Sequence, residues 1–149
     1  MAGNHIIHMD LVAEHNKSLS FFAEIAGLAM KVYNNYHGGL LESAYEAALK
    51  YLLEENGHKV ERQVFVPIYW EDVLLDQNYR IDLLVDEEVI VELKAIKFIT
   101  EEQRKQLKSY MHITHKPYGM LINFSLDRLY SEWYRRDSES GVIEKVSLI

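Results

Sequence analysis

The chain contains no cysteine among its 149 residues. Disulfides, zinc–thiolate centres, iron–sulfur ligation and thiol catalysis are therefore excluded, and a cytoplasmic location is the default expectation. No apolar run approaches the roughly 20 residues a membrane-spanning helix needs, so no membrane partner is expected. Residues Met1 to His8 lack the basic region followed by an apolar core that marks a secretory signal. Positive charge is scarce: 16 Lys and Arg stand against 23 Asp and Glu, a formal net charge of −7. A sequence-independent nucleic-acid coat normally shows a basic patch, so that class is disfavoured. A nuclease is disfavoured less, because a bound metal brings positive charge with it. GxxxxGK[ST], GxGxxG after a strand, HExxH and GxSxG are all absent.

What is present is an ordinary balance for a globular protein, 48% hydrophobic and 26% charged, long enough for one domain with a real core. Residues 79–94 organise it. Two β-branched, apolar runs flank Asp86-Glu87-Glu88, which predicts a hairpin turning about Glu87. In that register Val85 faces Val89, Leu84 faces Ile90, Leu83 faces Val91 and Asp82 faces Glu92. Strand alternation puts Asp82, Leu84, Ile90, Glu92 and Lys94 on one face and Leu83, Val85, Val89, Val91 and Leu93 on the other. Both faces are apolar in the middle, so the hairpin is expected at the centre of a sheet covered on both sides.

Asp82 and Glu92 then need explaining. Like charges opposed across strands are unfavourable, and burying a carboxylate costs several kcal/mol unless it is compensated. A divalent cation would compensate both, with Lys94 beside them. The bland alternative is a solvated strand end where Asp82, Glu92 and Lys94 form a structural ion cluster.

The flanking segments are mostly helical. Residues 1–17, with His5, His8, His15 and no clear period, are expected to form a flexible lead. Phe22, Ile25, Ala26, Ala29, Val32 and Tyr33 predict an amphipathic helix over 19–36, closed by His37-Gly38-Gly39. A second helix is expected over Leu40–Asn56, with Leu41, Tyr45, Ala48 and Leu52 as its buried stripe. Glu42 falls in its first turn, where the helix dipole favours a carboxylate. Residues 58–70 read as one strand with Val60, Val64, Val66, Ile68 and Trp70 on a buried face; Pro67 argues for a sheet edge or a bulge. Thr100-Glu-Glu-Gln103 is a capping box opening a helix that ends before Pro117. Gln106, Leu107, Tyr110, Met111 and Ile113 share one broad face of that helix. Arg104, Lys105 and Lys108 fall on the other, as a solvated face or as phosphate contacts. Strands follow at 119–124, 129–135 and 142–149.

Asp82, a hairpin, then Glu92-Leu93-Lys94 resembles the D…(D/E)xK signature of the PD-(D/E)XK nuclease superfamily, with Ile81 rather than Pro before the aspartate. Gly39-Leu-Leu-Glu42-Ser-Ala-Tyr45 resembles the GxxExxY pattern of one small family within it. Gln106-Leu-Lys-Ser-Tyr110 resembles the QxxxY helix motif of RecB-like nucleases. The three occur in the expected order between about Phe21 and Ile149. The resemblance implies an α/β, restriction-endonuclease-like fold over 18–149: a mixed β-sheet with flanking helices in a single domain. It implies Glu42, Asp82 and Glu92 as ligands of Mg²⁺ or Mn²⁺ with the Leu93 carbonyl as an additional ligand. Lys94 would act on the attacking water, and Gln106 and Tyr110 would position the site. The expected activity is phosphodiester hydrolysis of DNA or RNA. The competing expectation is a binding or assembly module that keeps the fold without turnover. A homodimer formed through an edge strand or the first helix is compatible with either.

Overall fold

The computed structural model describes the backbone of residues 2–147 and the side chains of 14–147. The chain runs α1 (Ala2–Tyr36), α2 (Glu42–Glu55), β1 (Val60–Val66), β2 (Tyr69–Trp70), β3 (Val73–Leu74), β4 (Tyr79–Val85), β5 (Val89–Lys94), α3 (Glu101–Thr114), β6 (Tyr118–Phe124), β7 (Leu129–Arg136) and β8 (Ile143–Lys145). Six strands form one sheet in the order β1-β4-β5-β6-β7-β8, and β2 and β3 form a separate small hairpin. All neighbours in the large sheet are antiparallel except β5 and β6, which α3 connects as a parallel pair. The fold is therefore α/β with a mixed sheet, as the sequence predicts. No helix among the described residues is long and apolar enough to cross a membrane.

The central hairpin has the expected register: Val85 pairs with Val89, Leu84 with Ile90 and Leu83 with Val91. Asp86 and Glu87 both take positive φ, 50° and 61°, and the Glu88 N–H donates to the Val85 carbonyl at 3.0 Å. Tight primed turns of this kind match the twist of the strands they join. The hairpin is covered on both faces. Leu83, Val85, Val89, Val91 and Leu93 pack with Phe22, Ile25, Tyr45 and Leu49 of α1 and α2. Leu84 and Ile90 pack with Leu107, Tyr110 and Met111 of α3. Gly119 lets α3 settle this closely, because a Cβ there would lie 2.5 Å from Met111 Sδ and 3.0 Å from Leu107 Cδ1. Thr100 opens α3 with its N–H donating 2.9 Å to Gln103 Oε1, as the capping box requires.

Several expectations are corrected. The first helix starts at Ala2, so the segment expected to be a flexible lead is helical along its backbone. No proline interrupts it, and local propensity continues the helix where no amphipathic period announces it. The His5 and His8 side chains lie outside the described residues. The strand expected over 58–70 ends at Val66, because Pro67 donates no ladder bond and Tyr69 and Trp70 pair with β3 instead. Trp70 is consequently 70% exposed rather than buried. The α2 stripe is Tyr45, Glu46, Leu49 and Leu53, while Leu41 is exposed. The last strand covers only Ile143–Lys145, and residues 148 and 149 lie outside the described residues.

One polar clasp ties α1 to the hairpin turn. His58 Nδ1 lies 2.6 Å from Asp86 Oδ2 and its Nε2 2.8 Å from Glu24 Oε1, with Phe21 edge-on to the ring. Burial acts to lower the His58 pKa, but the bonds to Asp86 and Glu24 outweigh it and raise the value above the ordinary 6.5. A raised folded-state pKa gives stability that is complete below the unfolded value and lost as pH rises through the folded one. The protein is therefore expected to lose on the order of 1 kcal/mol of this contribution from about pH 5.5 to about pH 8.5. Urea midpoints of the wild type and His58→Leu at both values check it; the same pH dependence in both would show that the clasp does not titrate.

Candidate active site

Beyond Leu83 and Val91 the ladder between β4 and β5 stops, and the ladder between β1 and β4 skips the level of Asp82 as well. Gln63, opposite Asp82, takes a left-handed φ of 54°, which turns it out of the regular pairing. Carboxylates fill the opening. The Asp82 N–H donates to Glu92 Oε1 at 3.1 Å, and the Leu93 N–H donates to Asp82 Oδ2 at 2.9 Å. The two acidic residues thus meet where their strands part. The N–H and C=O of an extended residue point to the same neighbouring strand, so the Leu93 carbonyl also faces this opening.

The site is short of positive charge. Glu92 is 3% exposed. Its pKa lies well above the ordinary carboxylate range through burial and the nearby Asp82, against which the Asp82 N–H and Lys94 act. Asp82 is raised by burial, with the Leu93 N–H opposing, Glu46 adding to the rise and Lys94 opposing. Glu42, in the first turn of α2, is raised by burial, pulled back by Lys94 and raised further by Asp82 and Glu46. Lys94 therefore acts on all three carboxyls. Among the described residues its ammonium makes no direct ion pair, unlike the clamped lysine of a structural cluster.

A second layer escaped the sequence reading. Glu46, one turn after Glu42, is buried and accepts from Arg62 Nε at 2.6 Å. Gln63 Nε2 donates to both Glu46 oxygens at 3.1 Å and to Asp82 Oδ1 at 3.3 Å. Arg62, Glu46 and Gln63 form a bridge that orients Asp82 from the β1 side. The four-residue spacing of Glu42 and Glu46 on one helix face was the signal for Glu46. Nothing local announces the left-handed Gln63.

From the other side, Tyr110 lies over the site. Its pKa is pushed up to about 12 by burial and by the charges of Glu92 and Asp82, and its ring meets Tyr79 edge-on at 6.2 Å. Gln106 sits one turn earlier and lines, with Tyr79 and Tyr110, a groove of about 600 Å³. Its side chain makes no hydrogen bond to Asp82 or Glu92. No three His, Cys, Asp or Glu side chains among the described residues converge closely enough to hold a metal ion. Asp82 and Glu92 form a pair, and Glu42 acts on it through space.

A contrasting carboxylate lies on the same sheet face. Glu92 pairs with Leu121, and Leu121 with Glu132. Glu132 is as buried as Glu92 but saturated. Arg104 donates from Nε at 2.8 and 3.1 Å and from Nη2 at 2.8 Å, Tyr134 donates at 2.6 Å and Tyr130 at 2.7 Å. Burial acts to raise the Glu132 pKa, yet these bonds hold it down at about 2. Arg104 is thereby withdrawn from the solvated or phosphate-contacting face expected of it. Lys108 instead lies over the Tyr134 ring, 5.4 Å from its centroid. Two buried carboxyls two strands apart are thus driven in opposite directions, Glu92 by burial beside another carboxylate and Glu132 by its donors.

The comparisons with known proteins bear on this arrangement. A solved structure titled "Crystal structure of SSO0001" is similar at 17% identity with a TM-score of 0.47, over 80% of this chain and 61% of that one. The chain thus spans about three-fifths of the length of that structure. No curated protein matches. The family model described as the PD-(D/E)XK nuclease superfamily matches residues 20–136. That span runs from within α1 to the last residue of β7, so it takes in every side chain of the site, and the chain belongs to the PD-(D/E)XK nuclease superfamily.

Proposed function

We propose that the protein is a nuclease that hydrolyses phosphodiester bonds of DNA or RNA with Mg²⁺ or Mn²⁺. The observation that carries the reading is the pair of half-buried Asp82 and buried Glu92, without a cation in contact, at the parting of β4 and β5, on the face that bears Lys94. The donor set fits a hard divalent cation. Two carboxylates without a cation in contact face an opening that a backbone carbonyl also faces, and oxygen donors select such ions. Mg²⁺ is commonly held by one or two carboxylates together with waters and substrate phosphate, so a third converging carboxylate is not required. Asp82, Glu92 and the Leu93 carbonyl would hold the ion, and Glu42 would add negative charge behind it. Bound there, the ion supplies Lewis-acid polarisation of the scissile phosphate.

The chain's own residues do the rest. Lys94 orients the attacking water, takes its proton in the neutral form or stabilises charge at phosphorus in the protonated form. The Arg62–Glu46–Gln63 bridge fixes the Asp82 carboxylate. Tyr110, held neutral by its neighbours, keeps bulk water from the face of α3, and Gln106 lines the approach beside it.

Two measurements test the reading. Labelled single- and double-stranded DNA and RNA should be cut in Mg²⁺ or Mn²⁺, not in chelator, and not by Asp82→Asn. Absence of wild-type cleavage on every substrate, together with metal binding, would leave the non-catalytic module. Melting should also rise with Mn²⁺ in the wild type, because a ligand that binds only the folded state stabilises it by about 2.7 kcal/mol at a hundred times its dissociation constant. Asp82→Asn should respond much less, and without metal it should be no less stable than the wild type, since it relieves repulsion from Glu92. Equal responses in both proteins would place the ion elsewhere.

A further inference from the structure

We propose that a second, basic and aromatic cleft beside Lys94 is a binding subsite for the nucleotide neighbouring the scissile bond, with Lys97 and Arg128 on its phosphate and Phe98 stacked on an unpaired base. The subsite rests on the nuclease reading and narrows it to substrates with a single-stranded segment. The cleft has a volume of about 240 Å³, and Lys97, Phe98, Asn123, Asp127, Arg128 and Tyr130 are among the residues that line it.

Its position follows from the register. Lys94 pairs with Asn123, and Asn123 with Tyr130. Directly paired residues share a sheet face, so this row continues the face of Glu92 and Lys94 across β6 and β7. Two strand spacings put Tyr130 about 10 Å from Lys94, at the same end of the sheet. The cleft carries positive charge that no carboxylate among the described residues neutralises by direct contact, as do Lys31, Lys105 and Lys108 elsewhere on a chain of net charge −7. Lys50, Lys59, Arg62 and Arg104 each hold a carboxylate within 2.8 Å. Among the described residues Lys97 and Arg128 hold none, like Lys94 between them and the carboxylate pair. Lys97 lies over the Phe98 ring and Arg128 over the Tyr130 ring, each 5.7 Å from the centroid. Phe98 is nonetheless 70% exposed, leaving ring surface for a base.

The cleft is also held in shape. Ser125 Oγ donates to the Arg128 carbonyl at 2.6 Å and accepts from the Arg128 N–H at 3.2 Å, closing the turn that carries Arg128. Tyr33 OH donates to the Ser125 carbonyl at 3.0 Å. A Cβ on Gly38 would lie 2.6 Å from both the Ser125 oxygen and Leu126 Cα, so the glycine lets the α1–α2 turn press directly on this backbone. The Asn123 amide fastens the other wall, donating to the Ile96 carbonyl at 2.9 Å and accepting from the Ile96 N–H at 3.0 Å. Cations for phosphate and an exposed ring for a base are what single-strand binding uses.

Fluorescence anisotropy of a labelled single-stranded oligonucleotide, titrated in chelator over a range of salt, tests the subsite apart from catalysis. Lys97→Ala and Arg128→Ala should each weaken binding and reduce the slope of log affinity against log salt by about 0.7. Phe98→Ala should weaken single-strand binding roughly tenfold and duplex binding little. Lys31→Ala, an exposed lysine on α1, should bind as the wild type. Wild-type-like binding by the three cleft variants, an equal loss in Lys31→Ala, or no binding by the wild type would each overturn the subsite. Cleavage separates the two readings. Loss of binding in the cleft variants of a protein that never cuts would sustain the subsite and end the catalytic reading. Cutting with unchanged KM in all three variants would end the subsite alone.

Discussion

Lys94→Ala is expected to lower cleavage about 10²- to 10⁴-fold while the folded protein and its metal response stay nearly intact. The expectation comes from what Lys94 touches and what it does not. It makes no direct ion pair among the described residues, so its removal strips no partner from a buried charge. It does act through space on Glu42, Asp82 and Glu92, lowering all three. Without it those carboxyls rise further, while a cation that repels the metal ion is also removed, so the two effects on metal affinity oppose each other. The loss should fall on kcat and kcat/KM together, as for an interaction made in the transition state. Lys94→Arg should not restore the rate, because a guanidinium is bulkier and does not give up its proton near neutral pH. Melts with and without Mg²⁺ accompany the kinetics. A large fall in stability with unchanged cleavage would show that Lys94 is a structural counter-charge and not part of the chemistry.

The largest effect on stability is expected at Arg104. Arg104→Met leaves the fully buried Glu132 carboxylate with hydroxyl donors alone, apart from Lys145 at 3.8 Å, and should cost 3–5 kcal/mol. Arg104→Met combined with Glu132→Leu should recover most of that loss, since the penalty belongs to the stranded charge and not to the pair. The pH dependence has a definite sign. The folded pKa of Glu132, about 2, lies below its ordinary 4.5. The stability it brings is therefore complete above about 4.5 and is lost as pH falls towards 2. In Arg104→Met the relation should invert, with burial alone raising the pKa so that mild acid stabilises the protein. Urea unfolding of the single and double variants at several pH values checks all three statements. A double variant no more stable than the single one would show that Arg104 acts through its own packing.

How much of this was legible beforehand depended on whether the cause was local. The Asp86-Glu87-Glu88 turn and the β-branched runs around it set the hairpin register, because turn chemistry and alternation both act within a few residues. That register was enough to bring Asp82 to Glu92. Thr100 with Gln103 announced the start of α3 for the same reason. Pro67 was legible as a disturbance, yet its outcome, a separate hairpin from Tyr69 to Leu74, depended on a pairing choice that a single strand does not reveal. Glu132 lies in the strand expected over 129–135, where nothing in the neighbouring residues sets it apart. Its partner Arg104 is 28 residues away in the chain and looked like part of a solvated helix face. Long-range charge pairing has no period, so the pair was invisible, and with it the reason Arg104 is withheld from phosphate. Gln63 has a left-handed backbone that no local signal announces, and the carboxylates its side chain meets, Glu46 and Asp82, do not adjoin it in the chain.

The gap in the sheet at Asp82 changes how mutants of the site have to be read. The Asp82 and Leu93 amides sit at the middle of the molecule, yet their acceptors are side-chain oxygens. Their hydrogen-exchange protection therefore reports on the carboxylates themselves. Alanine at Asp82 or Glu92 would delete a reactive group and also orphan a backbone donor, so lost activity would be confounded with a loosened sheet. Asparagine and glutamine keep an oxygen in place and leave the amides protected. Only with those isosteres does a silent protein mean missing chemistry rather than a sheet that has come apart at its centre.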